Sequence, residues 1–362
     1  MQPRRTDLDA LRILVCAGVI LAHAALLFAE EPRYHLKSEL PSLSASIVYE
    51  FMRITTMPLF FILAGWSAVT SLRKRPAVRF AVERARRLLV PLIFGVIVFC
   101  SVIKYIELSH GRDIGAYGLR MVPPLQIGFP EFFALYLTRS RLITWSHLWF
   151  LAYLFIISLV FLPLLTPLAR RAPRTDVPAA VIVYLPGLVL AAWLVAFNGY
   201  WPFLPSLYKD GANFSYFALC FALGTGIAAW PGCERRLQPE ALRLLLLMLV
   251  AFAGVILCGE STLGRAFVGL TAWGAVGTAL GLSARLKPTA SPTLRYLNEA
   301  AMPVYVVHHV PLLLLGTIAL PLTLPVWLTI VPLALLTTVI SIAAYHWLIR
   351  PWRPMRVLMG VT

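Results

Sequence analysis

Ten runs of about twenty apolar residues, roughly 10–29, 47–72, 88–106, 147–166, 178–197, 213–230, 241–258, 264–284, 301–320 and 325–349, leave little of this 362-residue chain outside them. A run of that length is what an α-helix needs to cross the ~30 Å hydrocarbon core of a bilayer. Composition agrees: 59% of residues are hydrophobic and 13% charged, against roughly 25% charged in a soluble domain, and the mean hydropathy is +0.79. The expectation is an all-α integral membrane protein, a bundle of about ten transmembrane helices in one domain spanning 1–362. Its longest interruption, about 107–146, holds the semi-apolar patch Phe129 to Tyr136, which reads as a helix at the membrane interface rather than an eleventh span.

A net charge of +16 could point to nucleic acid, so its distribution matters more than its sign. With the N-terminus placed inside, most of the 32 Lys and Arg residues fall on inner segments, seven of them between Arg73 and Arg87. That asymmetry is the positive-inside pattern, which accounts for the basic balance without nucleic acid and places both termini in the cytoplasm. Arg12 and Arg53 fall inside apolar runs. The five cysteines include no Cys-x-x-Cys pair and four lie within runs, so neither a disulfide framework nor a thiolate metal site is expected. Asp7, Asp9 and Arg12 crowd the start of the first run, which reads as an uncleaved first helix.

Polar side chains within the runs are few, and each is costly in lipid, about 2.5–3.5 kcal/mol for a charged one on insertion scales. Arg12 and His23 are eleven residues apart in the first run, close to three helical turns, so they share a face about 16 Å apart along the axis. His23 is either a buried histidine bonded to a neighbouring helix or a general base, for which an imidazole suits neutral pH. In the ninth run, Tyr305 and His308 are three apart and share a face. His309 is adjacent to His308 and is expected to point away, so that one of the two lines a site. Glu299 is a first-turn acid or an orienting group for a base. With no second ligand at i+3 or i+4, a metal site is not expected. Glu50 and Arg53, three apart, either neutralise each other or grip a polar substrate. Arg84, Arg86 and Arg87 suit the phosphates of a cytosolic donor through bidentate bonds. His147, flanked by Trp145 and Trp149 in the run from Ser146 to Leu151, stands among interface anchors that could form a sugar-stacking mouth.

Together these segments resemble the acyltransferase 3 family of bacterial membrane acyltransferases. The matching pieces are Arg12 and His23 in an Arg-x10-His pattern, Pro58 to Gly65, the arginine-rich stretch from Arg84 to Pro91, and Tyr305 with His308. Ser146-His-Leu-Trp-Phe-Leu and Asn298-Glu-Ala-Ala-Met-Pro-Val-Tyr305 look most like a branch of that family that modifies periplasmic glucans. The resemblance implies transfer of an acyl group, acetyl or succinyl, from cytosolic acyl-CoA to a carbohydrate hydroxyl. His23 would be the base or acyl carrier, with His308 and Glu299 also catalytic. Arg12, Arg84, Arg87, Tyr305, Arg53 and His147 would bind substrate, with no metal and no permanently bound cofactor. It also implies a multi-pass protein of the bacterial cytoplasmic (inner) membrane, and leaves the oligomeric state open, a homodimer included. A transporter or flippase is the alternative, since it too uses ten helices and intramembrane charges. No internal repeat supports it. A receptor or scaffold would leave His23, Arg12 and Glu299 without a reason for their cost.

Overall fold

The computed structural model describes residues 5–115, 118–170, 178–197, 206–207, 210–230, 232–286 and 288–361. In chain order its elements are α1 (Thr6–Leu26), α2 (Leu43–Leu72), α3 (Ala77–Arg84), α4 (Val90–Ser109), the strands β1 (Arg112–Gly115) and β2 (Gly118–Met121), α5 (Phe129–Thr138), α6 (Trp149–Val160) and α7 (Leu162–Arg170). There follow α8 (Ala179–Ala196), α9 (Gly211–Ala229), α10 (Cys233–Cys258), α11 (Thr262–Leu286), α12 (Pro292–Val307), α13 (His309–Ala319), α14 (Val326–Ala344) and α15 (Arg353–Leu358). Among the described residues eight helices are long and apolar enough to cross a membrane, or up to ten if each of two bent pairs is one span, which agrees with the reading of the apolar runs. Large apolar side chains face outward along them, with Leu257 at 85% exposure. Such surfaces suit lipid and would aggregate in water. The protein is a multi-pass helical membrane protein.

Proline punctuates these helices for a simple reason: it cannot donate to the carbonyl four residues before it. Pro311 therefore leaves the Val307 carbonyl without its helical donor, and the chain bends by 58° between α12 and α13 at His308. Pro91 does the same to the Arg87 carbonyl, and residues Ala85–Leu89 between α3 and α4 widen into a π-turn. Gly360, with φ +70°, packs against that carbonyl so closely that a Cβ would lie 2.8 Å from it.

The described chain divides into two compact units that are interleaved in sequence. Residues 1–15, 53–84 and 153–298 form the first, and 16–52, 85–152 and 299–362 the second. In the first unit, α2 and α9 meet backbone to backbone. A Cβ at Gly65 would stand 2.1 Å from the Phe221 carbonyl oxygen, and one at Gly224 would stand 2.0 Å from that of Ile62. Small residues let helices approach this closely where lipid offers no hydrophobic drive. The same device brings Gly269 of α11 against the backbone of Ala191 in α8.

In the second unit, Ala24 and Ala25 at the end of α1 and Leu27 just after it share a core with Leu312 and Leu313 of α13 and Ile330 of α14. The 107–146 interruption folds into an antiparallel hairpin, β1 with β2, which its sequence did not announce, and into α5. As expected, α5 is too short to span. It buries Phe132 and Tyr136, and Phe132 lies 5.5 Å between ring centres from Tyr105 of α4.

Candidate active site

All of the histidine-rich centre lies in the second unit. His23 sits in the last turn of α1, His147 in the short turn before α6, and His308 and His309 at the α12/α13 break. Ring centres are 4.4 Å apart for His23 and His309, 5.5 Å for His23 and His308, 4.7 Å for His147 and His309, and 5.0 Å for His147 and His308. His147, His308 and His309 are buried and His23 is partly so. Tyr34, from the loop after α1, stacks on His23 with ring centres 5.9 Å apart and pairs through its hydroxyl with His309 Nε2 at 3.1 Å.

The expectation that adjacent histidines diverge fails here. Along an unbroken helix successive side chains point about 100° apart, but the bend at His308 folds α13 back so that both rings enter one cluster. His147 is likewise not part of an exposed aromatic mouth. It is 4% exposed and faces Tyr305 and His308.

Neighbouring carbonyls set two of the rings. His308 Nδ1–H donates to the Tyr305 carbonyl at 2.7 Å, which leaves its Nε2 as a bare lone pair. His147 Nε2–H donates to the Val306 carbonyl at 3.1 Å, which leaves Nδ1 bare. The bare nitrogens, together with Nδ1 of His23 and of His309, are buried and have no hydrogen-bond partner among the described residues. Tyr305 donates its hydroxyl to the His147 carbonyl, locking the turn that holds His147. Four clustered imidazoles with unspent nitrogens can take up, hand on or release a proton, or hold an acyl group. One ring nitrogen from each of His23, His308 and His309 lies within 4.8 Å of the other two. A divalent ion with ~2.0–2.1 Å bonds to nitrogen could draw such a set together. No two of these three histidines stand i,i+3 or i,i+4 on one helix, so their spacing in the sequence gives no sign of the group.

A second polar group abuts the first. His35, in the loop after α1, lies 5.3 Å from His309 between ring centres. Its Nδ1 is paired with the Glu107 carboxylate of α4, and its Nε2 lies 2.9 Å from Ser146 Oγ. Glu107 also accepts from Lys104 Nζ and, at 2.6 Å, from the Ile114 N–H. Lys104 Nζ continues to Asp113 at 2.6 Å. Against the pull of burial, the Lys104 ammonium and the Arg120 guanidinium hold the Asp113 carboxyl below its ordinary value. The loop is pinned by Lys37, whose ammonium donates to the Leu26 carbonyl at 2.7 Å and to that of Ala29. Burial, and then Arg112, push Lys37 down to about 8. The sequence assigns no role to Lys104, Glu107 or His35, and none to the hydroxyl of Ser146. An ionisable pair three apart at the end of an apolar run was the available signal.

Other expected residues lie elsewhere. Glu299 is exposed on α12, nine residues before His308, or roughly 13 Å of helix rise. Arg12, Arg53 and Arg84 belong to the first unit. There Arg12 pairs with Asp9 at 2.9 Å and donates to Ser67 Oγ at 2.6 Å. Arg84 lies over the Phe80 ring at 4.9 Å, and Arg53 is exposed on α2. Arg87 is exposed in the π-turn of the second unit.

Apolar helices long enough to cross a membrane carry this imidazole cluster, and residues 5–346 match the sequence model of the acyltransferase domain family, Acyl_transf_3. The chain belongs to that acyltransferase family. It is similar to glucans biosynthesis protein C of Salmonella paratyphi B, Salmonella schwarzengrund and Salmonella agona, with 24% identity over 346 residues in each case. The similarity covers 88% of this chain and 85% of each relative. No solved structure gives a significant match.

Proposed function

We propose that this acyltransferase moves an acetyl or succinyl group from cytosolic acyl-CoA to a hydroxyl of a cell-envelope or periplasmic carbohydrate, in the bacterial inner membrane. The observation that carries the reading is the set of bare imidazole nitrogens around His23, two of them fixed by carbonyl bonds on His147 and His308. A base needs a free lone pair within reach of the hydroxyl it activates, and a pocket that excludes water protects a thioester from hydrolysis. The name of the similar Salmonella proteins, glucans biosynthesis protein C, favours a glucan as the class of acceptor.

In this reading His23 is the base or the acyl carrier. His308 and Tyr305 hold the reacting groups in place. Arg12 and Arg84, both of the first unit, receive the phosphates of the donor. His147, within the imidazole cluster, contacts the acceptor. Glu299, exposed on α12, is left out of the proton transfer. Acyl-CoA is a co-substrate, and no cofactor stays bound.

Mass spectrometry of envelope glycans from cells with and without the gene tests this directly, because the added mass names the acyl group and its sugar. A His23→Ala protein that inserts and folds should lose transfer by at least about a hundredfold, the lower range for loss of a general base. Near-normal transfer by that variant overturns the role of His23, and unchanged glycans in the deletion overturn the acceptor class.

A further inference from the structure

The roles above leave Ser146, His35 and Glu107 unused, yet their arrangement is that of an activated serine. Glu107 can only accept while it is ionised, and Lys104 together with the Ile114 N–H engages its Oε1. Its Oε2 therefore receives the proton on His35 Nδ1. That fixes the His35 tautomer, and the bare Nε2 faces Ser146 Oγ at 2.9 Å. A carboxylate that holds an imidazole, which in turn receives a hydroxyl proton, is the geometry that makes a serine nucleophilic on unrelated folds. Glu107 and His35 are buried, while Ser146 is partly accessible.

The backbone at Ser146 adds an independent observation. Its φ is +42°, in the left-handed region that a residue with a Cβ seldom adopts. Strain of this kind persists where surrounding structure imposes it, and it gathers at sites that need one side chain aimed. Neighbouring bonds supply the imposition: the Ser146 N–H donates to Thr144 Oγ1 at 3.1 Å, and Tyr305 donates to the carbonyl of the next residue, His147.

We propose that Ser146, His35 and Glu107 form a second catalytic centre beside the imidazole cluster, in which Ser146 carries the acyl group as an ester between an acyl thioester donor and a hydroxyl acceptor. The proposal rests on the acyl-transfer reading above for its donor. In the first half, Ser146 Oγ bonds to the acyl carbon and the carbon–sulfur bond breaks. The serine proton moves to His35 Nε2 and from there to the departing sulfur, which leaves as a free thiol. In the second half, an acceptor hydroxyl attacks the serine ester and gives its proton to His35. Ser146 Oγ leaves with that proton, and the product is the acylated acceptor. No oxidant or further reactant is needed. Imidazoles continue from His35 through His309 to His23, with ring centres 5.3 Å and 4.4 Å apart, so the two centres share one path for protons.

The test uses the full-length protein in lipid nanodiscs and a fluorophosphonate probe, which reacts with activated serines and needs no knowledge of the natural acceptor. The probe should label the peptide holding Ser146. Labelling should vanish in Ser146→Ala and slow by at least about a hundredfold in His35→Gln, as expected for loss of a general base. Acetyl-CoA or succinyl-CoA without acceptor should leave the corresponding acyl mass on Ser146, removable by an added glucan. The proposal is overturned if Ser146→Ala transfers acyl groups at the wild-type rate, or if an active wild-type protein shows neither probe nor acyl mass at Ser146. His35-dependent labelling of Ser146 in a protein that takes nothing from acyl-CoA would uphold the activated serine and overturn the donor reading instead, so the two failures are distinguishable.

Discussion

Lys37 shows how far a side chain here departs from its behaviour in water. Lys37 has an ordinary value near 10.5 and is pushed to about 8 by burial and by Arg112. Between those values the unfolded chain binds the proton that the folded chain has released, so this group makes stability rise with pH across that window. Above about 8 its amine is neutral and nucleophilic. Amine acylation followed by peptide mass spectrometry should therefore give a midpoint near pH 8 at Lys37, against ~10.4 for a lysine in a model peptide; a midpoint at the ordinary value would mean the ammonium stays solvated. The imidazoles make a different prediction. If their lone pairs serve as bases, Zn²⁺ should inhibit acyl transfer by drawing His23, His308 and His309 onto one ion, and EDTA should restore it. EDTA alone should leave the rate unchanged, and a loss on chelation would instead assign the triad a resident metal. His23, Tyr305, His308 and His147 were legible as candidates because each is a polar residue set in an apolar run. His35 was not, because a histidine in a polar loop carries no cost that demands a reason, and only the fold brings it to Glu107.

Among the elements, the α12/α13 break does the most for the site. Pro311 withholds the donor that Val307 would otherwise find, and the resulting bend lets two sequence neighbours face one pocket. Replacing Pro311 by Ala returns that N–H and removes the ring's clash, which together cost ~3 kcal/mol or more in a helix interior. The expected outcome is a protein at least as resistant to heat as the parent that transfers acyl groups at least tenfold more slowly, because His309 swings away. Equal activity would mean that packing around the break, not Pro311, maintains it. The apolar runs made the helices legible, since membrane-crossing segments are long and continuous. They did not reveal the bend: Pro303 and Pro311 are both visible in the sequence, and which one breaks the helix depends on what surrounds it. The β1/β2 hairpin was hidden for another reason. Its residues, Arg112 to Met121, show no apolar alternation, and what holds it is Asp113 of β1, which accepts from Lys104 of α4 and from Arg120 across the strands.

At the scale of the whole molecule, four helices, α1, α2, α6 and α12, each contribute to both compact units. With both termini expected in the cytoplasm from the charge pattern, the reading proposed above brings donor and acceptor in from opposite faces. In sealed vesicles of known orientation, acyl-CoA on the cytoplasmic face should label a glucan enclosed on the other, with no bulk CoA crossing. Labelling that needs both substrates on one face would confine the reaction to that face. Movement of glucan without acylation would favour a transporter.

The seam between α2 and α9 bears on anyone who diversifies this chain to change what it acylates. At Gly65 and Gly224 the neighbour is not a side chain that can rotate away but the main chain of the facing helix, at 2.1 Å and 2.0 Å from where a methyl group would stand. A library can vary the lipid-facing leucines freely and repack most apolar positions at modest cost. Those two addresses accept a hydrogen atom and nothing larger, so every functional descendant of this sequence inherits them unaltered.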